Sequence, residues 1–281
     1  MKIIRSLNLM TKSAFIQKRG NKSVGFVPTM GALHEGHLSL IRQARRDNDI
    51  VVVSVFVNPS QFGPKEDFKI YPRPIKKDIT LCRKEGVDFL FYPQERLMYP
   101  AGFRTYVTVE GLSSVLCGKS RPLHFRGVAT VVLKLFNIIR PDIAYFGKKD
   151  FQQVTVIKRM VSDLNIPVKI KLMPIIREKS GLALSSRNNY LNKEEKKTAL
   201  VLTRALHLAD ILIRGGLRDS KRLISRMKML IEKEKRAKLD YAVIVNKANL
   251  EPVKKISANS IIALAVWVNK TRLIDNMEIR N

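Results

Sequence analysis

VGFVPTMGALHEGHLSLIRQARRDNDIVVVSVFV, residues 24–57, reads as strand, turn, helix and second strand. Residues 24–29 (VGFVPT) are a short apolar run closed by a proline turn. Leu38, Leu40, Ile41 and Ala44 recur at helical spacing over 37–46, which ends in Arg45-Arg46. Residues 50–57 (IVVVSVFV) are β-branched almost throughout, the pattern of a strand buried on both faces. Strand, helix and strand in this order predict a parallel sheet covered by helices.

The rhythm continues outward. The N-terminus reads as a short strand plus a helix, and it lacks the apolar centre and cleavage site of a signal peptide. Residues 76–86 read as helix and 87–92 (VDFLFY) as strand. The run 126–139 fits strand or helix, but its length and the spacing of Val128, Val131, Val132 and Leu135 favour a buried helix. A strand at 142–146, a helix at 150–164 and a strand at 166–176 follow. The last third differs. Helices at 193–213 and 219–236 flank Gly215-Gly216, then come strands near 240–245 and 259–268 and a short end segment, TRLIDN. That order predicts a small α+β domain. Pro174 and Gly181 place the boundary near 174–186, giving domains 1–176 and 177–281.

Composition narrows the function classes. The 281 residues carry 52 Lys+Arg against 24 Asp+Glu, a net charge of +28, and 45% are hydrophobic. The apolar content argues against disorder. The charge raises nucleic acid or an anionic membrane as partners. Residues 1–178 hold 30 basic and 14 acidic side chains and residues 179–281 hold 22 and 10, so the excess forms no basic tail. Zinc-finger spacing and aromatic RNA-binding signatures are absent. Cys82 and Cys117 have no zinc spacing and read as buried, reduced thiols. No apolar run spans a membrane, so a cytoplasmic setting is expected.

Four polar segments fall at strand ends or at the domain junction. In PTMGALHEGH (28–37), Gly31 and Gly36 let backbone approach a ligand, and His34 and His37 can share one space at a helix start. A Walker A loop is excluded because His37-Leu38 stand where Lys-Ser/Thr is required. A zinc protease is excluded because HEGH is one residue short of H-E-x-x-H. What remains is H-x-G-H, a nucleotidyl-transfer signature; two ordinary surface histidines are the competing reading. Leu184-Ser185-Ser186-Arg187-Asn188 supplies hydroxyls and a forked guanidinium suited to polyphosphate. Gly147-Lys148-Lys149-Asp150 follows a strand, with Asp150 as a helix cap. Asn58 and Gln61, after the buried strand, offer donors and acceptors to a small polar substrate. Each also fits ordinary turn chemistry. Together they indicate an enzyme using ATP and a small polar substrate.

At these residues the sequence resembles the pantothenate synthetase (pantoate–β-alanine ligase) family of H-x-G-H nucleotidyltransferases. The matching stretches are FVPTMGALHEGH (26–37), VVVSVFVNPSQF (51–62), YPR (71–73), SRPLHFRGVATVVLKLFNIIRPDIAYFGKKDFQQ (120–153), GLALSSRNNYL (181–191) and TRLIDN (271–276). The resemblance implies a Rossmann-like parallel-sheet N-terminal domain, a smaller C-terminal α+β lid domain and a homodimer. It implies that ATP and (R)-pantoate form a pantoyl adenylate, that β-alanine then displaces AMP, and that Mg²⁺ accompanies ATP. It further implies that His34 and His37 contact the ATP phosphates, that Lys149, Ser185, Ser186 and Arg187 hold them, and that Met30, Gly31, Gly147, Asp150 and Leu184 seat the nucleotide. Gln61 and Gln153 would bind pantoate, with Val131 and Val132 as an apolar wall. Arg121 and His124 would lie in a loop near pantoate, and Asp78 would be the metal-side carboxylate.

Three departures stand out. Lys148 replaces a frequent acid of the family, as does Lys77, and Pro74 replaces a frequent Thr. Lys77 leaves Asp78 as the remaining carboxylate of its helix. Another H-x-G-H nucleotidyltransferase is the alternative within enzymes, and a basic nucleic-acid-binding protein is the alternative outside them.

Overall fold

The computed structural model describes residues 1–64 and 66–279. The chain forms two compact units: Met1–Lys148 with Val156–Pro174, and Lys149–Thr155 with the chain from Ile175.

The first unit holds six parallel strands, β1 (Lys2–Ile4), β2 (Val24–Thr29), β3 (Ile50–Val55), β4 (Phe89–Phe91), β5 (Ile143–Gly147) and β6 (Lys169–Met173). Its helices are α1 (Leu7–Arg19), α2 (Glu35–Asp47), α3 (Ile75–Lys84), α4 (Glu95–Met98), α5 (Cys117–Ser120), α6 (His124–Ile139) and α7 (Phe151–Asp163), the last of which begins in the second unit. The strand order is β1-β4-β3-β2-β5-β6. The chain builds outward from β2 to β3 and β4, then returns to set β5 on the other side of β2. The carboxyl ends of β2 and β5 are therefore the topological switch point, where open α/β sheets bind ligands.

Every residue of β3 is buried, as its β-branched run predicts. Ile41 and Ala44 of α2 and Cys82 of α3 pack with Val51, Val53 and Leu90. The ambiguous run at 126–139 is helical. α6 buries Val128, Val131, Val132, Leu135 and Phe136, and the Phe136 ring meets Phe26 edge-on at 6.3 Å. Buried Tyr145 is satisfied by donating to Asp47 at 2.8 Å and accepting from Asn48 at 2.7 Å.

In the second unit, α8 (Lys193–Arg214) and α9 (Ser220–Glu232) accompany an antiparallel sheet of β7 (Ala237–Asn246), β8 (Ser260–Val268) and β9 (Thr271–Glu278). Asn192 and Glu195 cap α8 reciprocally, and Asp219 caps α9. Leu202, Ala205, Leu223, Met227, Ile262 and Leu264 share its core.

Several boundaries differ from the sequence expectation. The helix expected over 37–46 starts at Glu35 because His34 caps it. The strands expected over 87–92 and 166–176 shrink to β4 and β6, and Pro174, which lacks a ladder N–H, lies just beyond β6. α9 stops at Glu232 rather than 236, since its buried face ends at Ile231. The short end segment TRLIDN opens β9 and pairs with β8 along its whole length.

Candidate active site

β2 and β3 run in register from Val24–Ile50 to Thr29–Val55, so the loops leaving them start side by side. The Thr29 hydroxyl donates to the Ser54 carbonyl at 2.7 Å and accepts the Gly31 N–H at 3.1 Å. His34 is the N-cap of α2 in extended conformation, and its Nδ1 accepts the Gly36 N–H at 3.1 Å. His37, three residues on, accepts the His34 N–H on its own Nδ1 at 3.4 Å. H-x-G-H is thus a capping box made of two imidazoles, with ring centroids 4.1 Å apart. An Nδ1 that accepts leaves the proton of a neutral ring on Nε2. Both histidines therefore present an Nε2–H donor at the N-terminus of a helix, where the dipole favours anions.

The turn before them is held from beneath. Gly31 (φ +83°) and Ala32 (φ +51°) are both left-handed. A Cβ at Gly31 would lie 2.8 Å from Val55 Cγ1, so glycine is required there on steric grounds as well. Asp78, in the first turn of α3 and 1% exposed, accepts the Ala32 N–H at 2.9 Å and the Leu33 N–H at 2.8 Å. Burial pushes its carboxyl above the usual aspartate range, against the pull of these two N–H groups and of Lys77. Both oxygens of the expected metal-side carboxylate are committed to the loop. Among the described residues no group of three or more His, Cys, Asp or Glu is arranged to hold a metal ion. Pro74 is the N-cap of α3 and gives it no side-chain cap.

Gln61 closes a 3₁₀ turn, Pro59–Gln61, lying against α6. A Cβ on Gly127 would come within 2.3 Å of the Ser60 carbonyl, so only glycine allows this approach. Asn58 donates to Gln61 Oε1 at 3.0 Å and to the Gly127 carbonyl at 3.1 Å, and Gln61 Nε2 faces Met30 Sδ at 3.1 Å. Arg121 pairs through two nitrogens with Glu66, and its Nη2 donates to the Gln61 carbonyl at 3.3 Å. His124 is not in a loop, as expected, but is the first residue of α6. Its Nδ1 lies 2.9 Å from the Gln61 carbonyl and its Nε2 lies 3.1 Å from Arg121 Nη1. A carbonyl must accept and a guanidinium must donate, so this ring is neutral with its proton on Nδ1. Val131 and Val132, on the same helix, are buried.

Gly147 ends β5 in the first unit, and the second unit carries the remaining candidates. Lys149 Nζ is 3.6 Å from Asp150 Oδ1, and Asn276 of β9 donates to the Lys149 carbonyl at 2.8 Å. Gln153, half-buried, lies one turn further along α7. Ser185 caps a 3₁₀ turn, Ser186–Tyr190, by accepting the Arg187 N–H. A short hairpin brings this turn back: Leu184 N–H donates to the Ile176 carbonyl at 3.0 Å, with Gly181 (φ +93°) at the bend. Arg177 anchors the hairpin to buried Asp275 of β9 by two hydrogen bonds of 2.6 and 2.9 Å. Adjacent residues of one strand thus hold both cationic segments of this unit.

A family model for pantoate–beta-alanine ligase matches residues 2–278. A pantothenate synthetase of Caldicellulosiruptor saccharolyticus is 56% identical over 262 residues, 93% of each chain. The chain belongs to the pantoate–beta-alanine ligase family. Crystal structures agree. Pantothenate synthetase from Thermus thermophilus matches with a TM-score of 0.93 at 42% identity, covering both chains fully. The Francisella tularensis ligase, complexed with beta-gamma ATP and beta-alanine, matches with a TM-score of 0.81 at 37% identity, over 99% of this chain and 97% of its own.

In this ligase the polar segments at strand ends are legible in the sequence, and the residues that hold them are not. Glu66, Arg177, Asp275 and Asn276 carried no assigned role, although the last two lie in the TRLIDN stretch. A buried acid and amide in a strand otherwise facing an apolar core were the available signal, since buried polar groups must find partners.

Proposed function

We propose that this ligase joins (R)-pantoate to β-alanine in two steps through an enzyme-bound pantoyl adenylate. The observation that carries the reading is the paired cap of His34 and His37, which sets two Nε2–H donors beside the switch point of the sheet. In the first step a pantoate carboxylate oxygen attacks the α-phosphorus of ATP, the bond to the bridging oxygen breaks, and pyrophosphate leaves with the electron pair. Negative charge grows on the phosphate oxygens, and fixed donors stabilise it. His34 and His37 serve the α-phosphate. Lys149, Ser185, Ser186 and Arg187 hold the phosphates, and Met30, Gly31, Gly147, Asp150 and Leu184 seat the nucleotide. Gln61 and Gln153 orient pantoate against Val131 and Val132. In the second step the neutral amine of β-alanine attacks the acyl carbon, the bond to AMP breaks, and the amine proton passes to water. AMP and pantothenate are the products.

Mg²⁺ enters as part of the MgATP substrate. The residues do not fit a resident metal: among the described residues no group of three or more His, Cys, Asp or Glu is arranged around one point, and buried Asp78 already accepts two backbone N–H groups. Residues 1–176 are assigned ATP and pantoate binding and 177–281 the role of lid. A cytoplasmic homodimer is the expected state on the family resemblance, and no helix among the described residues is long and apolar enough to cross a membrane.

The test is pantoate-dependent ATP–pyrophosphate exchange, followed by AMP release when β-alanine is added. Lys149→Ala should lower exchange by about 10²–10³-fold with the fold intact. Exchange that ignores pantoate in folded protein would overturn the reading.

A further inference from the structure

The reaction proposed above employs Lys149 and Arg187 out of 52 Lys and Arg. Two helices of the second unit place the surplus in opposite ways. α8 follows the helix dipole, with Glu194 and Glu195 in its first turn and Arg214 in its last. α9 inverts it. Lys221 and Arg222 open a first turn that has no acid, and the single acid, Glu232, closes a last turn that has no base. Arg222 and Arg226, one turn apart, add a like-charge pair that destabilises a helix. These cations oppose the helix that carries them, so the fold does not account for their presence.

α9 buries Leu223, Met227 and Ile231 and leaves Lys221, Arg222, Arg226 and Lys233 exposed. Arg222, Arg226, Met229 and Lys233 succeed one another at steps of four, three and four residues, which keeps them in one row. The ends of that row are roughly 16 Å apart along the helix axis. A second segment widens the face. The Ser220 N–H donates to the Lys254 carbonyl at 3.0 Å, and the Ile256 N–H donates to the Arg218 carbonyl at 2.8 Å. This pairing sets exposed Lys254 and Lys255 beside the start of α9. Asp219, at the same end, caps the helix by accepting the Arg222 N–H at 2.7 Å. Other cations of this unit pair with carboxylates: Arg177 with Asp275, Arg204 with Glu234, Arg214 with Asp210 and Arg272 with Asp240. Among the described residues no ion pair engages Lys221, Arg222, Arg226, Lys233, Lys254 or Lys255.

We propose that this face docks the phosphate backbone of a single nucleic-acid strand without selecting its bases. The length of the row excludes a lone phosphate or carboxylate as the ligand, because neither bridges it; the ligand must repeat its charge. Guanidinium forks suit phosphate oxygens, and a flexible strand can lay successive phosphates along a straight row. Met229 is the one large apolar side chain that α9 exposes, so the face has no apolar wedge to enter a lipid layer. α9 holds no aromatic residue on which a base could stack, which leaves the backbone as the part recognised. The binding is separate from the ligase reading, since it uses no residue assigned to ATP or pantoate.

Fluorescence anisotropy of a labelled, mixed-sequence RNA of about 20 nucleotides, titrated with the full chain as KCl rises from about 50 to about 200 mM, measures the binding. About four neutralised phosphates correspond to a slope of log K against log salt near −3, and so to roughly 50-fold weaker binding across that range. Replacing Arg222, Arg226 and Lys233 together by Ala should reduce the slope by about 2 and weaken binding about tenfold or more at the lowest salt. The same variant should melt no lower than wild type, because α9 loses charges that oppose it. Replacing Lys12, Lys22 and Lys84 by Ala removes the same charge from exposed positions of the first unit and should leave binding within about twofold. Equal losses in the two triple variants would assign the binding to net charge and overturn the proposal. So would the absence of salt-dependent binding in wild type. Tighter binding to phosphatidylserine vesicles than to the RNA, lost in the α9 variant, would overturn it in favour of a membrane.

Discussion

His34 and His37 cap one helix together: His34 Nδ1 accepts the Gly36 N–H in the first turn of α2, and His37 Nδ1 accepts the N–H of His34, the N-cap. One pair of rings thus carries two separable jobs, ending a helix and facing the nucleotide. His34→Asn keeps a good cap and removes the Nε2 donor. It should leave the urea midpoint near wild type while exchange falls about 10²–10³-fold. His34→Ala removes both, and should in addition lose about 1 kcal/mol of stability. Equal destabilisation by the two variants would show that the ring does not cap.

Asp78 supports the loop from below, and its raised carboxyl has a pH consequence. Its folded value lies above its unfolded value, so on acidification the native protein takes up this proton first. Between the ordinary aspartate range and the raised value, its contribution to stability falls as pH rises, and above that value the contribution is flat. Relative to Asp78→Asn, wild type should therefore gain stability as pH is lowered through that interval, measured as urea midpoints. The amide also sets an N–H₂ against one of the two backbone N–H groups. Displacing the histidine turn should cost about 10²-fold in exchange at pH 7.

Asp275 and Asn276 act on different segments of the same unit. Asn276→Ala frees the Lys149 carbonyl and should raise the KM for ATP about tenfold, with stability nearly unchanged. Asp275→Asn breaks a two-pronged pair with Arg177 at a buried acid and should lower stability on the order of 2 kcal/mol. Measuring melting temperature and KM for both variants distinguishes positioning from folding.

Arg121 fixes the carbonyl of Gln61 while gripping Glu66 with two nitrogens. Arg121→Ala should raise the KM for pantoate roughly tenfold and leave that for ATP unaltered. Arg121→Lys should not rescue it, because an ammonium lacks the fork. Recovery with lysine would reduce the role of Arg121 to charge alone.

Burial, aided by the charge of Asp78, pushes the Cys82 thiol up to about 12. Only thiolate reacts readily with disulfide reagents. In a Cys117→Ser variant, native protein should therefore release no colour from such a reagent at pH 8, and one equivalent after unfolding in guanidinium. Rapid native labelling would contradict the buried, reduced thiol.

Periodicity is a local property, so the chain alone disclosed the sequence of elements. The βαβ stretch at 24–57, the buried helix at 126–139 and the change to helices followed by strands were all legible in it. H-x-G-H, Lys149 and Ser185-Ser186-Arg187 were found for the same reason, because each is contiguous and sits beside a recognisable element. The strand order was not legible, since pairing β5 to β2 rather than to β4 depends on contacts distant in sequence. Nor were the supports of the site. Asp78 reaches Ala32 across 46 positions, His124 reaches Gln61 across 63, Arg177 reaches Asp275 across 98, and Asn276 reaches Lys149 across 127. A polar side chain shows nothing in sequence of which buried group it will satisfy. Folding chooses that partner by bringing both out of water together, where leaving either unpaired is costly.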